Sequence, residues 1–169
     1  FYTRHEVYPN LGFDDFTPIE CMGNIVRNPL DWAKDSMLVK EIKDVLNSTE
    51  GQDFIYTVSV QGHGKYPTEV IDETQTITVG GIEDQGETIS MEYYVNQLKE
   101  MDNFLKALTD YLEGCGEDVV LVLFGDHLPG LDIQPEDLEN GNIYQTEYVI
   151  WSNFPMEKQD KNLSTYQLT

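Results

Sequence analysis

The chain has 169 residues, of which 31 are acidic and 10 basic, giving a net charge of -21. A field of that sign repels nucleic acid and anionic lipid surfaces, and no basic stretch offsets it. A hydrophobic content of 40% over one domain-sized length supports a folded interior and argues against disorder, so residues 1–169 read as a single domain.

Residues 1–30 are aromatic and punctuated by Pro9, Gly12, Pro18, Gly23 and Pro29, which reads as irregular connection. Arg4 is its notable charge: a surface residue in most contexts, or a fork for phosphate or sulfate oxygens. The chain opens on Phe-Tyr-Thr-Arg without an initiator Met, which reads as a piece of something longer. It contains no signal peptide and no apolar run long enough to span a bilayer.

Asp35-Ser36 is positioned to cap a helix running to about Asn47, with Met37, Leu38, Ile42, Val45 and Leu46 at helical spacing. Phe54–Val60 is rich in β-formers and reads as a short strand. It ends in Gln61-Gly62-His63-Gly64, where the flanking glycines permit close approach of a ligand to the backbone. Residues 65–87 read as a long loop with an extended piece at Gln75–Val79. From about Ser90 to Leu112, Tyr94, Leu98, Met101, Leu105, Leu108 and Leu112 keep a three-four rhythm that predicts a helix with these residues in the core. Gly114 and Gly116 stop it.

Val119–Phe124 is an unbroken apolar run, which predicts a strand buried on both faces. Asp126 and His127 follow it directly. In open α/β sheets ligands bind just beyond the carboxyl ends of strands, and a carboxylate next to an imidazole offers two donor types for a divalent cation. The bland alternative is that the pair only caps a turn. With a helix between them, strands 54–60 and 119–124 would form a right-handed parallel unit with both histidine loops on one edge. Tyr148–Trp151 is a third strand, and the tail from Pro155 is polar. Cys21 and Cys115 make no metal or redox spacing and read as two thiols, with a single disulfide left open.

Several segments in order carry a family resemblance: Phe-Tyr-Thr-Arg (1–4), Asn-Leu-Gly-Phe-Asp-Asp-Phe (10–16), Tyr-Thr-Val-Ser-Val-Gln-Gly-His-Gly-Lys-Tyr-Pro (56–67), Tyr-Val-Asn-Gln (94–97), Phe-Gly-Asp-His (124–127) and Tyr-Val-Ile-Trp-Ser-Asn (148–153). Together they resemble the extracellular catalytic domain of lipoteichoic acid synthase and related phosphoglycerol transferases, in the sulfatase branch of the alkaline phosphatase superfamily. The resemblance implies an α/β/α sandwich with a mostly parallel sheet, truncated here at both ends to the C-terminal part of the domain. It implies that Asp126 and His127 are metal ligands, that His63 is a substrate-binding and catalytic histidine, and that Arg4 binds the phosphate. Tyr2 falls where the lipoteichoic acid enzyme has a tryptophan beside the substrate.

The implied cofactor is a divalent ion, commonly Mn2+ in this family, with Mg2+, Ca2+ or Zn2+ as alternatives. The implied substrate is a phosphoglycerol lipid or polymer. The implied location is the extracellular face of a bacterial cell membrane, with the parent protein anchored there and this segment not inserted. The family's nucleophilic threonine and a glutamate ligand lie upstream of the matching segment, so the chain alone is expected to be inactive. A sulfatase or phosphodiesterase of the same superfamily, or a non-catalytic cation-binding domain, are the alternatives.

Overall fold

The computed structural model describes residues 3–168. In chain order it forms α1 (Arg4–Asn10), α2 (Leu38–Leu46), α3 (Gln85–Leu112), β1 (Val120–Phe124), β2 (Tyr148–Ser152) and the single turn α4 (Thr165–Leu168). Short 3-10 turns lie at Ile19–Cys21, Asp35–Met37 and Pro135–Asp137. Chain contacts divide the molecule into two units. One takes Phe1–Ala107 with Pro129–Leu131, the other Leu108–Leu128 with Asp132–Thr169. No described helix is long and apolar enough to cross a membrane. Cys21 and Cys115 are free thiols.

In the first unit, the stretch read as irregular holds α1, which begins at Arg4. Asp35 does not cap α2 with its side chain. It lies in the 3-10 turn before the helix, only 2% exposed, and its Oδ1 accepts the Val60 and Gln61 N–H groups. Helix α3 starts at Gln85, upstream of the expected Ser90, because Asp84 caps it. Asp84 Oδ1 accepts the Glu87 N–H at 2.9 Å, and its carbonyl accepts the Thr88 hydroxyl at 2.8 Å.

The sheltered edge of α3 in this unit also departs from the expected apolar stripe. Tyr93, Asn96, Gln97 and Phe104 are buried, while Leu98 is exposed. Two of these are amides, and each is occupied by hydrogen bonds. Asn96 Oδ1 accepts the Thr76 and Ile77 N–H groups, and its Nδ2 donates to the Ile77 carbonyl at 2.8 Å. The extended piece expected near Gln75–Val79 is thus held against the helix by side chains, with no strand partner. Hydropathy periodicity misses a buried edge whose polar groups are satisfied by backbone.

Phe54–Val60 forms no ladder, so the expected strand is not formed. A strand needs a neighbour to take its N–H and C=O groups. No strand among the described residues pairs with this segment, and Phe54, Tyr56 and Val58 remain exposed.

In the second unit, β1 and β2 form an antiparallel pair with Val122 opposite Ile150 and Phe124 opposite Tyr148. The predicted mostly parallel sheet and the strand–helix–strand unit are therefore absent from the described residues. A parallel return needs a long crossover, usually helical. The segment linking β1 to β2 contains only the turn at Pro135–Asp137. β1 is not buried on both faces either: Val120, Val122 and Phe124 are exposed and alternate with half-buried Leu121 and Leu123. Asn153 closes the start of this strand. Its Oδ1 accepts the Val119 N–H at 2.8 Å, and its Nδ2 donates to the carbonyls of Leu112 and Glu117. Leu108 and Leu112, the last turns of α3, are the buried apolar residues of this unit.

Candidate functional site

The antiparallel pairing continues one residue past β1. The Gly125 N–H donates to the Glu147 carbonyl at 3.2 Å, and the Thr146 hydroxyl donates to the Gly125 carbonyl at 2.7 Å. A Cβ on Gly125 would lie 3.4 Å from Thr146 Cβ, so the strand ends at a residue with little room for a side chain. Asp126 and His127 project from that end, both solvent-exposed.

His127 Nδ1 lies 2.7 Å from the Leu128 carbonyl oxygen. A carbonyl only accepts, so Nδ1 carries a proton, and in the neutral ring the lone pair resides on Nε2. Nε2 faces Asp126 Oδ1 at 3.6 Å. Metal-ligating histidines commonly donate their second ring N–H in this way, which orients the ring. A neutral imidazole lone pair beside a carboxylate suits a divalent cation. Among the described residues, no group of three or more His, Cys, Asp or Glu gathers to hold a metal; the couple offers two donor atoms.

In the first unit, His63 sits in a turn closed by its own N–H to the Val60 carbonyl at 3.0 Å. Its ring packs T-shaped against Trp32, with centroids 5.0 Å apart at 61°. A Cβ on Gly64 would come within 3.3 Å of Trp32 Nε1, and one on Gly130 within 3.3 Å of the Gly64 carbonyl oxygen. Both glycines therefore permit close approach. The Tyr66 hydroxyl donates to the Gly62 carbonyl at 2.8 Å and packs by its ring on Tyr94. Burial pushes the Tyr66 phenol up to about 12, with Tyr94 adding to it, so it stays a donor through neutral and mildly alkaline pH. Arg4 is half-buried at the start of α1, in the same unit. Tyr2 lies outside the described residues.

The sequence reading missed the groups that hold the His63 turn. Gln61, 2% exposed, sits two residues before it. Asn28, Trp32, Asp35 and Gln97 are the others. The signal available was the Tyr-Val-Asn-Gln segment, which contributed to the resemblance without a role for Gln97. Nothing in the local sequence marks Asn28.

The family model described as Sulfatase matches residues 1–167, and the chain belongs to that family, with its alkaline phosphatase-like fold. Among solved structures it resembles Streptococcus pyogenes phosphoglycerol transferase GacH in complex with sn-glycerol-1-phosphate, with TM-score 0.78 and 27% identity over 94% of this chain and 42% of that one. Among curated proteins it is 31% identical over 181 aligned residues to the "Putative cyclic beta-1,2-glucan modification protein" of Rhizobium meliloti (strain 1021), covering 98% of this chain and 28% of that protein. The chain thus spans less than half the length of either relative. The expected resemblance to the phosphoglycerol transferases of the sulfatase branch is borne out at this level.

Proposed function

We propose that the protein carrying this chain is a metal-dependent phosphoglycerol transferase, and that residues 1–169 are part of its catalytic domain. The observation that carries this reading is the oriented Asp126–His127 couple at the end of β1, in a chain that matches a transferase solved with sn-glycerol-1-phosphate. Asp126 and His127 would hold a divalent cation, Mn2+ first among candidates. When bound, such an ion withdraws charge from a phosphoryl oxygen and lowers the pKa of a hydroxyl.

The remaining roles belong to this chain's own side chains. Arg4 presents a planar, permanently charged fork that matches the non-bridging oxygens of a phosphodiester. His63 donates a hydrogen bond to phosphate oxygen, or carries the proton of the leaving or attacking hydroxyl. Tyr2 is a further candidate for substrate binding. The name of the curated relative points to a carbohydrate hydroxyl as the acceptor. The reaction would take place on the outer face of a bacterial cell membrane, where a phosphoglycerol lipid can act as donor.

The test is transfer of the labelled headgroup of phosphatidylglycerol to a β-glucan by the full-length protein, with and without Mn2+. Label should move to the glucan only with the ion, and transfer should be lost in Asp126→Ala. The family also contains sulfate-ester hydrolases, so an aryl sulfate is run in parallel. Hydrolysis of that ester without phosphoglycerol transfer would replace this reading with a sulfatase. Cation binding with neither reaction would leave a binding domain.

A further inference from the structure

We infer that Asn28, Gln61 and Gln97 form a buried amide frame that positions His63, acting on the proposed reaction through that imidazole without touching substrate. The need for such a frame is plain from the turn. His63 is flanked by Gly62 and Gly64, which have no side chains to anchor it, and it is itself exposed. Two groups that bear on its orientation are Gln61, just before Gly62, and Trp32, which meets its ring.

Gln61 is held directly. Its carbonyl accepts Asn28 Nδ2 at 3.2 Å, its Oε1 accepts the Asp35 N–H at 2.9 Å, and its Nε2 donates to Gln97 Oε1 at 3.1 Å. It also donates to Glu100, which Lys34 holds at 2.9 Å. Asn28 holds the Trp32 side. Its Oδ1 accepts the Leu30 and Trp32 N–H groups at 3.0 Å each, fixing the segment whose indole packs against the His63 ring. Its Nδ2 also donates to Gln97 Oε1 at 3.3 Å. Asn28, Gln61 and Gln97 are 5%, 2% and 2% exposed. Gln97 Oε1 is thus the shared acceptor linking the His63 turn and the Trp32 segment to one point on α3. Buried, satisfied amides specify one arrangement, and losing the shared acceptor leaves two buried donors without it.

The experiment uses the full-length protein with Gln97→Met, which keeps volume and removes the acceptor. Two readings are made. Carbethoxylation rates of His5, His63 and His127 are followed by peptide mass spectrometry at neutral pH. Turnover is measured on phosphatidylglycerol in the wild-type and His63→Ala backgrounds. A frame that positions His63 predicts a change of about threefold or more at His63 alone, as the turn opens locally. It predicts a kcat lower by about tenfold with little change in KM, and no further loss from Gln97→Met once His63 is alanine. Gln97→Glu, which retains the acceptor oxygen, should restore the His63 rate. If Gln97→Met does not fold, Asn28→Asp replaces it, because it keeps the bonds to Leu30 and Trp32 and loses the donations to Gln61 and Gln97. An unchanged His63 rate, or an equal loss of turnover in the His63→Ala background, overturns the inference. The turnover arm rests on the transferase reading and the modification arm does not, so a protein with no transferase activity would sink that reading while the His63 rate still decides this one.

Discussion

Asp35 and Gln61 hold each other by two reciprocal bonds. The Asp35 N–H donates to Gln61 Oε1 at 2.9 Å, and Asp35 Oδ1 accepts the Gln61 N–H at 3.4 Å. Val60 adds its N–H to the same Oδ1 at 3.0 Å, while Oδ2 is buried with no hydrogen-bond partner. A position that local sequence marks as a helix cap is a buried anchor for the residues leading into the His63 turn.

Asp35→Ala should destabilise the fold by about 1–3 kcal/mol, because two backbone donors lose their acceptor in a buried place. The size should depend on pH. Burial raises the Asp35 pKa, outweighing the two backbone bonds that lower it. A raised folded-state pKa gives stability that is fully present below the unfolded value and is lost as pH rises through the folded one. The gap between wild type and Asp35→Ala should therefore be widest at acid pH and narrow toward neutrality. Urea unfolding at several pH values reads this directly. A gap that widens with pH would contradict the assignment.

Gly64→Ala should disturb the Trp32–His63 contact. The new methyl would lie 3.3 Å from Trp32 Nε1 and 3.8 Å from Leu30 Cδ1. We expect a loss of about 1–3 kcal/mol, as for other overpacked sites, with a shift in tryptophan emission. Gly51→Ala serves as the control for space, because nothing lies within 4 Å of a Cβ there and its φ is not left-handed. It should leave the emission unchanged.

Asp126→Asn and His127→Ala should each weaken Mn2+ binding to the full-length protein by at least about tenfold, measured by calorimetric titration. On the proposed reading both donors serve one ion, so the two changes should not add fully. Binding in both variants equal to wild type would show that the strand end only caps a turn and that the acidic surface binds cations diffusely.

Tyr66 and Tyr93 should titrate late. Burial, the leading cause for both, pushes each up to about 12. Because these folded values lie above the ordinary phenol range, the stability they contribute is intact below about pH 10 and is lost as pH rises toward 12. Tyrosinate absorbance should show a late component that shrinks in Tyr66→Phe. That substitution also removes the donor to the Gly62 carbonyl, at a cost of about 1 kcal/mol.

Local sequence determined the parts of this protein whose cause is local. The apolar run ending at Gly125 became β1, with Asp126 and His127 just past its end. The rhythm ending at Leu112 became α3, stopped at the expected place. Tyr148–Trp151 became β2. Tertiary structure decided the rest, because each remaining outcome depends on a partner distant in the chain. Phe54–Val60 has the composition of a strand, but composition cannot supply the neighbour that a ladder requires. The direction of the β1–β2 pair depends on what the connection between them does. The inward edge of α3 carries Asn96 and Gln97 because the segments packed on it present N–H and C=O groups at those positions. Asn28 shows the limit most clearly: it lies 33 residues from Gln61 and 69 from Gln97, and only the folded chain brings its amide to both.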